Sequence, residues 1–295
     1  MISSYVQLIL IILITASLYT IISSSFYFIY TSTKFFHLAH AAIISAGAYL
    51  TLLFSEYMYI PLWISIPLAV SLAALLGLLC ELIVYKPMRQ RSSPIFTYLV
   101  ASIGIYTILQ NCIYLYFGDD AKTINLGPVK EGNNIFGAYI TTIQIITIII
   151  SLALFVSTIL LIRFSALGKS IRAVSINPAL CDIYGISSDK VIAWCFVIGS
   201  ALGAVAGILS GMDTNFTPAM GFDLLLYGVV VMIIGGVGSY RGLVASALLI
   251  ATSQHLITFY VDKKWMDTIV YIILIGFLIW KPLGFGGTRL RKVEI

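Results

Sequence analysis

At 295 residues, 60% of them hydrophobic and 10% charged, with a mean hydropathy of +1.03, the chain falls far below the roughly 25% charge of soluble globular domains. That leaves too little polar material for a water-facing surface and excludes a soluble globular protein. The net charge of +5 is explained by basic loops on one side of a membrane, so no nucleic-acid-binding surface is needed.

Runs of about 20 apolar residues span a bilayer. In chain order they are Tyr5 to Phe26, Phe35 to Phe54, Leu62 to Tyr85, Ile95 to Phe117, Ile143 to Ile162, Val191 to Leu209, Leu224 to Ile234, Leu243 to Tyr260 and Met266 to Trp280. The seventh is short enough to re-enter, so an all-α, polytopic protein with eight or nine spans in a single transmembrane domain (residues 1–295) is predicted. The start, Met1-Ile2-Ser3-Ser4, lacks the basic region of a signal peptide, and the first run is read as a retained span.

Cytoplasmic loops keep Lys and Arg. Placing Lys34, the Lys86, Arg89 and Arg91 loop, Arg163 to Lys190, Arg241 and the Lys281 to Lys292 tail inside gathers 13 of the 17 basic residues, leaving Lys122, Lys130, Lys263 and Lys264 outside. The same choice puts Asp119, Asp120, Glu131, Asp213 and Asp223 outside, the N-terminus outside and the C-terminus in the cytoplasm.

Gly118 to Ile140 reads as an external turn region rich in Gly, Asn, Asp and Lys. The internal loop, residues 163–190, is more structured. Asn177 is an N-cap type before Pro178, and Gly185 stands at a natural C-cap, which predicts a short helix from Pro178 to Tyr184. Leu180, Ile183 and Tyr184 share one face of it, and Ser187 or Ser188 is placed to cap the next span. Two readings stay open for this helix: a connector folded against the membrane ends, or a docking element for a cytoplasmic partner.

Gly199, Gly203, Gly207 and Gly211 recur every four residues and form a row for close helix packing. Gly235-Gly236-Val237-Gly238 predicts a broken segment ending near Tyr240-Arg241-Gly242, since each glycine costs roughly 1 kcal/mol in a helix. Gly168-Lys169-Ser170 imitates the end of a phosphate-binding loop, but Arg163 stands where that motif needs its first glycine. No other segment supplies the motif, so any ATP hydrolysis must occur on another chain.

His37 and His40 lie three residues apart and have no further ligand nearby, so no metal is expected. Cys80, Cys112, Cys181 and Cys195 show no paired spacing, and neither a disulfide nor a cofactor is expected. Glu81, one turn inside a span, needs a partner such as Arg89 or Lys86. Gln110, Asn111, Gln254 and His255 are polar residues inside apolar runs. With His37 and His40 they are candidates for a pathway lining, interhelical hydrogen bonding being the alternative. No Ser/His/Asp cluster or carboxylate pair points to an enzyme.

Several segments together resemble the permease subunits of branched-chain amino acid ABC importers. His37-Leu38-Ala39-His40-Ala41 with Gly47-Ala48-Tyr49 is similar to one family element, Ala41 standing where the family has glycine. Glu81 to Arg89 resembles a second, with Leu82 and Lys86 at arginine positions. Leu167 to Val174, Asn177-Pro178-Ala179 and Gly185-Ile186 resemble the coupling segment, followed by Pro218 to Gly221, Gly235 to Ser239 with Gly242, and Lys281 to Phe285.

The resemblance implies a multi-pass subunit of a bacterial or archaeal cytoplasmic membrane. Its partners would be a second permease, two cytoplasmic ATP-binding subunits and an extracytoplasmic substrate-binding protein. Asn177, Pro178, Ala179, Leu180, Ile183, Tyr184 and Gly185 would form the coupling helix. The cargo would be branched-chain amino acids, or urea or short amides carried by the same architecture. A secondary transporter or channel is the alternative from another class. It is opposed by the lack of a clear internal repeat and of intramembrane acids other than Glu81.

Overall fold

The computed structural model describes residues 2–124, 132–135 and 137–286. Lys130 and Glu131, assigned above to the outer side, and the basic tail beyond Gly286 lie outside these residues. The chain is mostly helical: α1 Ile2–Thr33, α2 His40–Leu52, α3 Leu62–Leu79, α4 Lys86–Gln90, α5 Ile95–Phe117, α6 Thr142–Phe164, α7 Ala166–Ile176, α8 Pro178–Ile183, α9 Ser188–Asp213, α10 Met220–Gly235, α11 Tyr240–Tyr260 and α12 Met266–Trp280. Single π-helical turns extend α2 (Leu53–Tyr57) and join α3 to α4 (Cys80–Tyr85).

Among the described residues, six helices are long and apolar enough to cross a membrane: Ser3–Thr33, Leu62–Gln90, Ile95–Phe117, Thr142–Phe164, Ser188–Asp213 and Tyr240–Tyr260. The other three apolar runs form the shorter α2, α10 and α12. At 16 residues α10 is about 24 Å long, less than the roughly 30 Å hydrocarbon thickness. The second run is shortened for a different reason. Lys34 adopts φ +60, which ends α1, and Phe35 to Ala39 are spent on a non-helical turn in which Phe35 and Ala39 are nonetheless buried.

A small antiparallel hairpin, β1 Asn133–Ile135 and β2 Ala138–Ile140, departs from the all-α expectation. It is held by the first helix. The Gln7 side-chain amide donates to the Tyr139 carbonyl at 3.1 Å and its oxygen accepts from the Tyr139 N–H at 2.8 Å, so Gln7 completes a strand-like pairing.

Close backbone approach organises the interior. Helix α9 packs against α1, α2 and α3, and its glycine row faces α1 and α2. A Cβ on Gly199 would sit 2.8 Å from the Ser25 carbonyl, and one on Gly203 would sit 2.8 Å from His40 Nε2. One on Gly207 would overlap the Ile44 carbonyl, while one on Gly211 would meet Phe216. In lipid such van der Waals contact is the main force between helices.

Helix α10 ends where the glycines predict a break, with Gly236 at φ +83 and Gly238 at φ +99. Its last carbonyls need donors. The turn after α12 supplies them: the Phe285 N–H donates to the Ile234 carbonyl at 2.8 Å and the Gly286 N–H to the Gly235 carbonyl at 3.2 Å. The Lys281 to Phe285 element is thus a cap for a helix some fifty residues earlier. Gly168 has an equally structural reason. It lies at the α6–α7 turn, where a Cβ would overlap the backbone of Leu161 and Ile162, and its N–H is accepted by the capping Ser165 hydroxyl at 2.9 Å.

Candidate functional site

Helix α8 projects between α7 and α9. The Asn177 side-chain oxygen accepts from the Leu180 N–H at 3.0 Å, Pro178 follows at the first helical position, and Gly185 at φ +81 ends it. Only Cys181 is buried. Leu180, Ile183 and Tyr184 are 49, 80 and 78% exposed, and Ala179 is exposed beside them. Neither Ser187 nor Ser188 makes a side-chain cap at the start of α9. Instead the Asp182 carboxylate accepts both the Ser188 N–H at 2.8 Å and the Ser188 hydroxyl at 2.7 Å, which bolts α8 to α9. These two bonds hold the Asp182 carboxyl below its ordinary range, because they favour the ionised form.

The same junction carries an ion-pair network. Arg89 donates to the fully buried Glu81 at 2.6 Å and to Asp189, in the first turn of α9, at 2.8 and 3.1 Å; Lys86 lies 3.7 Å from Asp189. Glu81 therefore has Arg89, one of the two partners expected for it. Nothing in the sequence pairs Asp189 with them, although an acid in the first turn of a helix is a visible signal.

The pathway candidates are not brought into one cluster. His37 and His40 are buried with ring centroids 5.9 Å apart. His37 Nδ1 pairs with the Tyr85 hydroxyl at 2.9 Å among Phe35, Tyr85 and Phe196, and His40 Nε2 pairs with the Ser25 hydroxyl at 3.0 Å. Gln110 is buried on the inner face of α5. Asn111, the next residue, is exposed and donates to its own helix at the Thr107 carbonyl. Gln254 is buried on α11 and accepts from the Tyr19 hydroxyl on α1 at 2.7 Å, while His255 pairs with Thr15 at 2.8 Å. His37 Nε2, His40 Nδ1, Gln110 Nε2 and Gln254 Nε2 are buried without a hydrogen-bond partner among the described residues.

The family described as "Branched-chain amino acid transport system / permease component" matches residues 8–278. The chain belongs to this family. It is 27% identical, over 94% of each chain, to the high-affinity branched-chain amino acid transport system permease protein LivH of Salmonella typhimurium. It is 26% identical, over 95% of each, to the corresponding protein BraD of Pseudomonas aeruginosa. A probable branched-chain amino acid transport permease protein of Methanocaldococcus jannaschii is 25% identical over 90% of this chain and 87% of its own. No solved structure matches. The permease family and the apolar helices together make the chain a multi-pass membrane protein.

Proposed function

We propose that the chain forms the translocation pathway of an ATP-driven importer for branched-chain amino acids, moving them by alternating access driven by separate ATPase subunits. The observation that supports this best is α8: a short, doubly capped helix that leaves Leu180, Ile183 and Tyr184 exposed beyond the ends of long apolar helices. An apolar face costs free energy in water unless a partner covers it. The Asp182 bonds to Ser188 tie it to the start of α9, which suits it to act as a lever. In this reading two copies, or this chain and a related permease, share two cytoplasmic ATPases and receive cargo from an extracytoplasmic binding protein.

The proposed membrane path has nine crossings, α2, α10 and α12 included, with the N-terminus outside and the C-terminus in the cytoplasm. Contacts between helix ends support it. The start of α1 bonds the hairpin before α6, and the Lys122 segment after α5 pairs with Phe216 between α9 and α10. The opposite ends share the Arg89 network and the cap on α10. The setting is the cytoplasmic membrane of a bacterium or archaeon. His37, His40, Gln110 and Gln254 are proposed to face the route at some stage of the cycle, since each keeps a buried polar atom without a hydrogen-bond partner among the described residues.

The test is Leu180→Glu, or a charge at Ala179. The variant should insert and unfold normally yet lose ATPase copurification and uptake of leucine; normal uptake would remove the coupling assignment. Competition by urea or acetamide in place of leucine would transfer the same architecture to the amide cargo.

A further inference from the structure

The ends of α1, α6, α7 and α10, the start of α11 and the turn after α12 line a half-open cavity of about 650 Å³ that none of the coupling or pathway residues lines. It lies within the roughly 300–1,000 Å³ of small-ligand pockets. Lys34, Arg163 and Arg172 line it, and among the described residues no Asp or Glu does. None of the three is in an ion pair among the described residues. Arg172 donates one N–H to the Ile162 carbonyl at the end of α6 and retains its other donors. Tyr27, Tyr30 and Tyr240 also line it, and the remaining walls are largely apolar.

Helix dipoles do not account for these charges. Four C-termini meet here and contribute about −0.5 each, while the α11 N-terminus adds about +0.5. Set against three full cations, that leaves about +1.5 without a counter-charge.

The geometry points to a binding site for an anionic phospholipid headgroup, with the phosphate held by Lys34, Arg163 and Arg172 at the cytoplasmic surface. A free phosphate would gain nothing from the apolar walls. A zwitterionic headgroup or an amino acid would bring an ammonium group into a cavity with three cations and, among the described residues, no carboxylate. Basic pockets between spans on the cytoplasmic side are the usual place for such lipids. The assignment to that leaflet rests on the proposed orientation, which labelling of Lys169→Cys with an impermeant thiol reagent tests separately; lipid selectivity in detergent does not depend on it.

The experiment is native mass spectrometry of the purified full chain titrated with phosphatidylglycerol, phosphatidylethanolamine or phosphatidylcholine. Wild type should retain phosphatidylglycerol at least tenfold more strongly than either zwitterionic lipid. Lys34→Gln with Arg163→Gln should weaken that retention by roughly 30-fold, at about tenfold per 1.4 kcal/mol and about 1 kcal/mol per cation. Lys263→Gln with Lys264→Gln, on the other side of α11, should not. Equal retention of all three lipids by wild type would overturn the proposal whether or not the variants fold. Unchanged retention in the folded cavity variant, or displacement of the lipid by millimolar inorganic phosphate, would do the same.

Discussion

Replacing Arg89 by Gln isolates the network that ties α3 and α4 to α9. The two acids it serves are unequal: the Glu81 side chain is fully buried, whereas Asp189 is 34% exposed and keeps Lys86 at 3.7 Å. Removing one partner of a buried pair costs about 3–5 kcal/mol, since a charge is left without compensation. Arg89 is itself 26% exposed, so water reaches the guanidinium and the lower end, about 3 kcal/mol, applies. Asp189→Asn should cost about 0.5 kcal/mol, as for surface pairs. Glu81→Gln with Arg89→Gln removes both charges and should cost about 1 kcal/mol, far less than Arg89→Gln alone.

A thiol-reactive dye can follow thermal unfolding in one fixed detergent, because Cys80, Cys181 and Cys195 are buried and only Cys112 is exposed. The expected order of melting temperature is wild type, Asp189→Asn, the double variant, then Arg89→Gln. If Arg89→Gln melts with or above the double variant, Glu81 is not a buried carboxylate held by Arg89.

Gly207→Leu should prevent stable folding, because its first side-chain carbon already overlaps the Ile44 carbonyl; a monodisperse, normally melting variant would refute the close approach of α9 and α2. Tyr19→Phe leaves Gln254 Oε1 without its donor, yet bonds between membrane helices average only about 0.6 kcal/mol. Transport should therefore fall more than stability if Gln254 borders the route, and a loss confined to melting temperature would make the pair structural. The Asp182 carboxyl is lowered on folding, so its contribution is complete above the unfolded carboxyl pKa of about 3.9 and fades as pH drops through the folded value. Proteolysis between α8 and α9 should rise more steeply in acid for wild type than for Asp182→Asn, for which hydrogen exchange of the Ser188 amide is a second readout.

Membrane class, most helix positions and the short α8 were legible in the residues because each depends on local information. A run of about 20 apolar residues is read by length alone, and Asn177-Pro178 with Gly185 encode both ends of a helix without reference to the rest of the chain. Apart from the glycine row of α9, which marks a packing face in the sequence, the tertiary structure alone decided which sides of those helices meet. Lipid is as apolar as a packed helix face, so hydrophobicity does not mark the inner side of a span as it does in water. Adjacent Gln110 and Asn111 read alike in the sequence, yet a turn of about 100° buries one and exposes the other. Asp189 meeting Arg89, Gln7 meeting Tyr139, the capping of α10 by Phe285 and the three cations around one cavity all join residues far apart in the chain. Their partners are set by helix packing, and no spacing in the sequence encodes it.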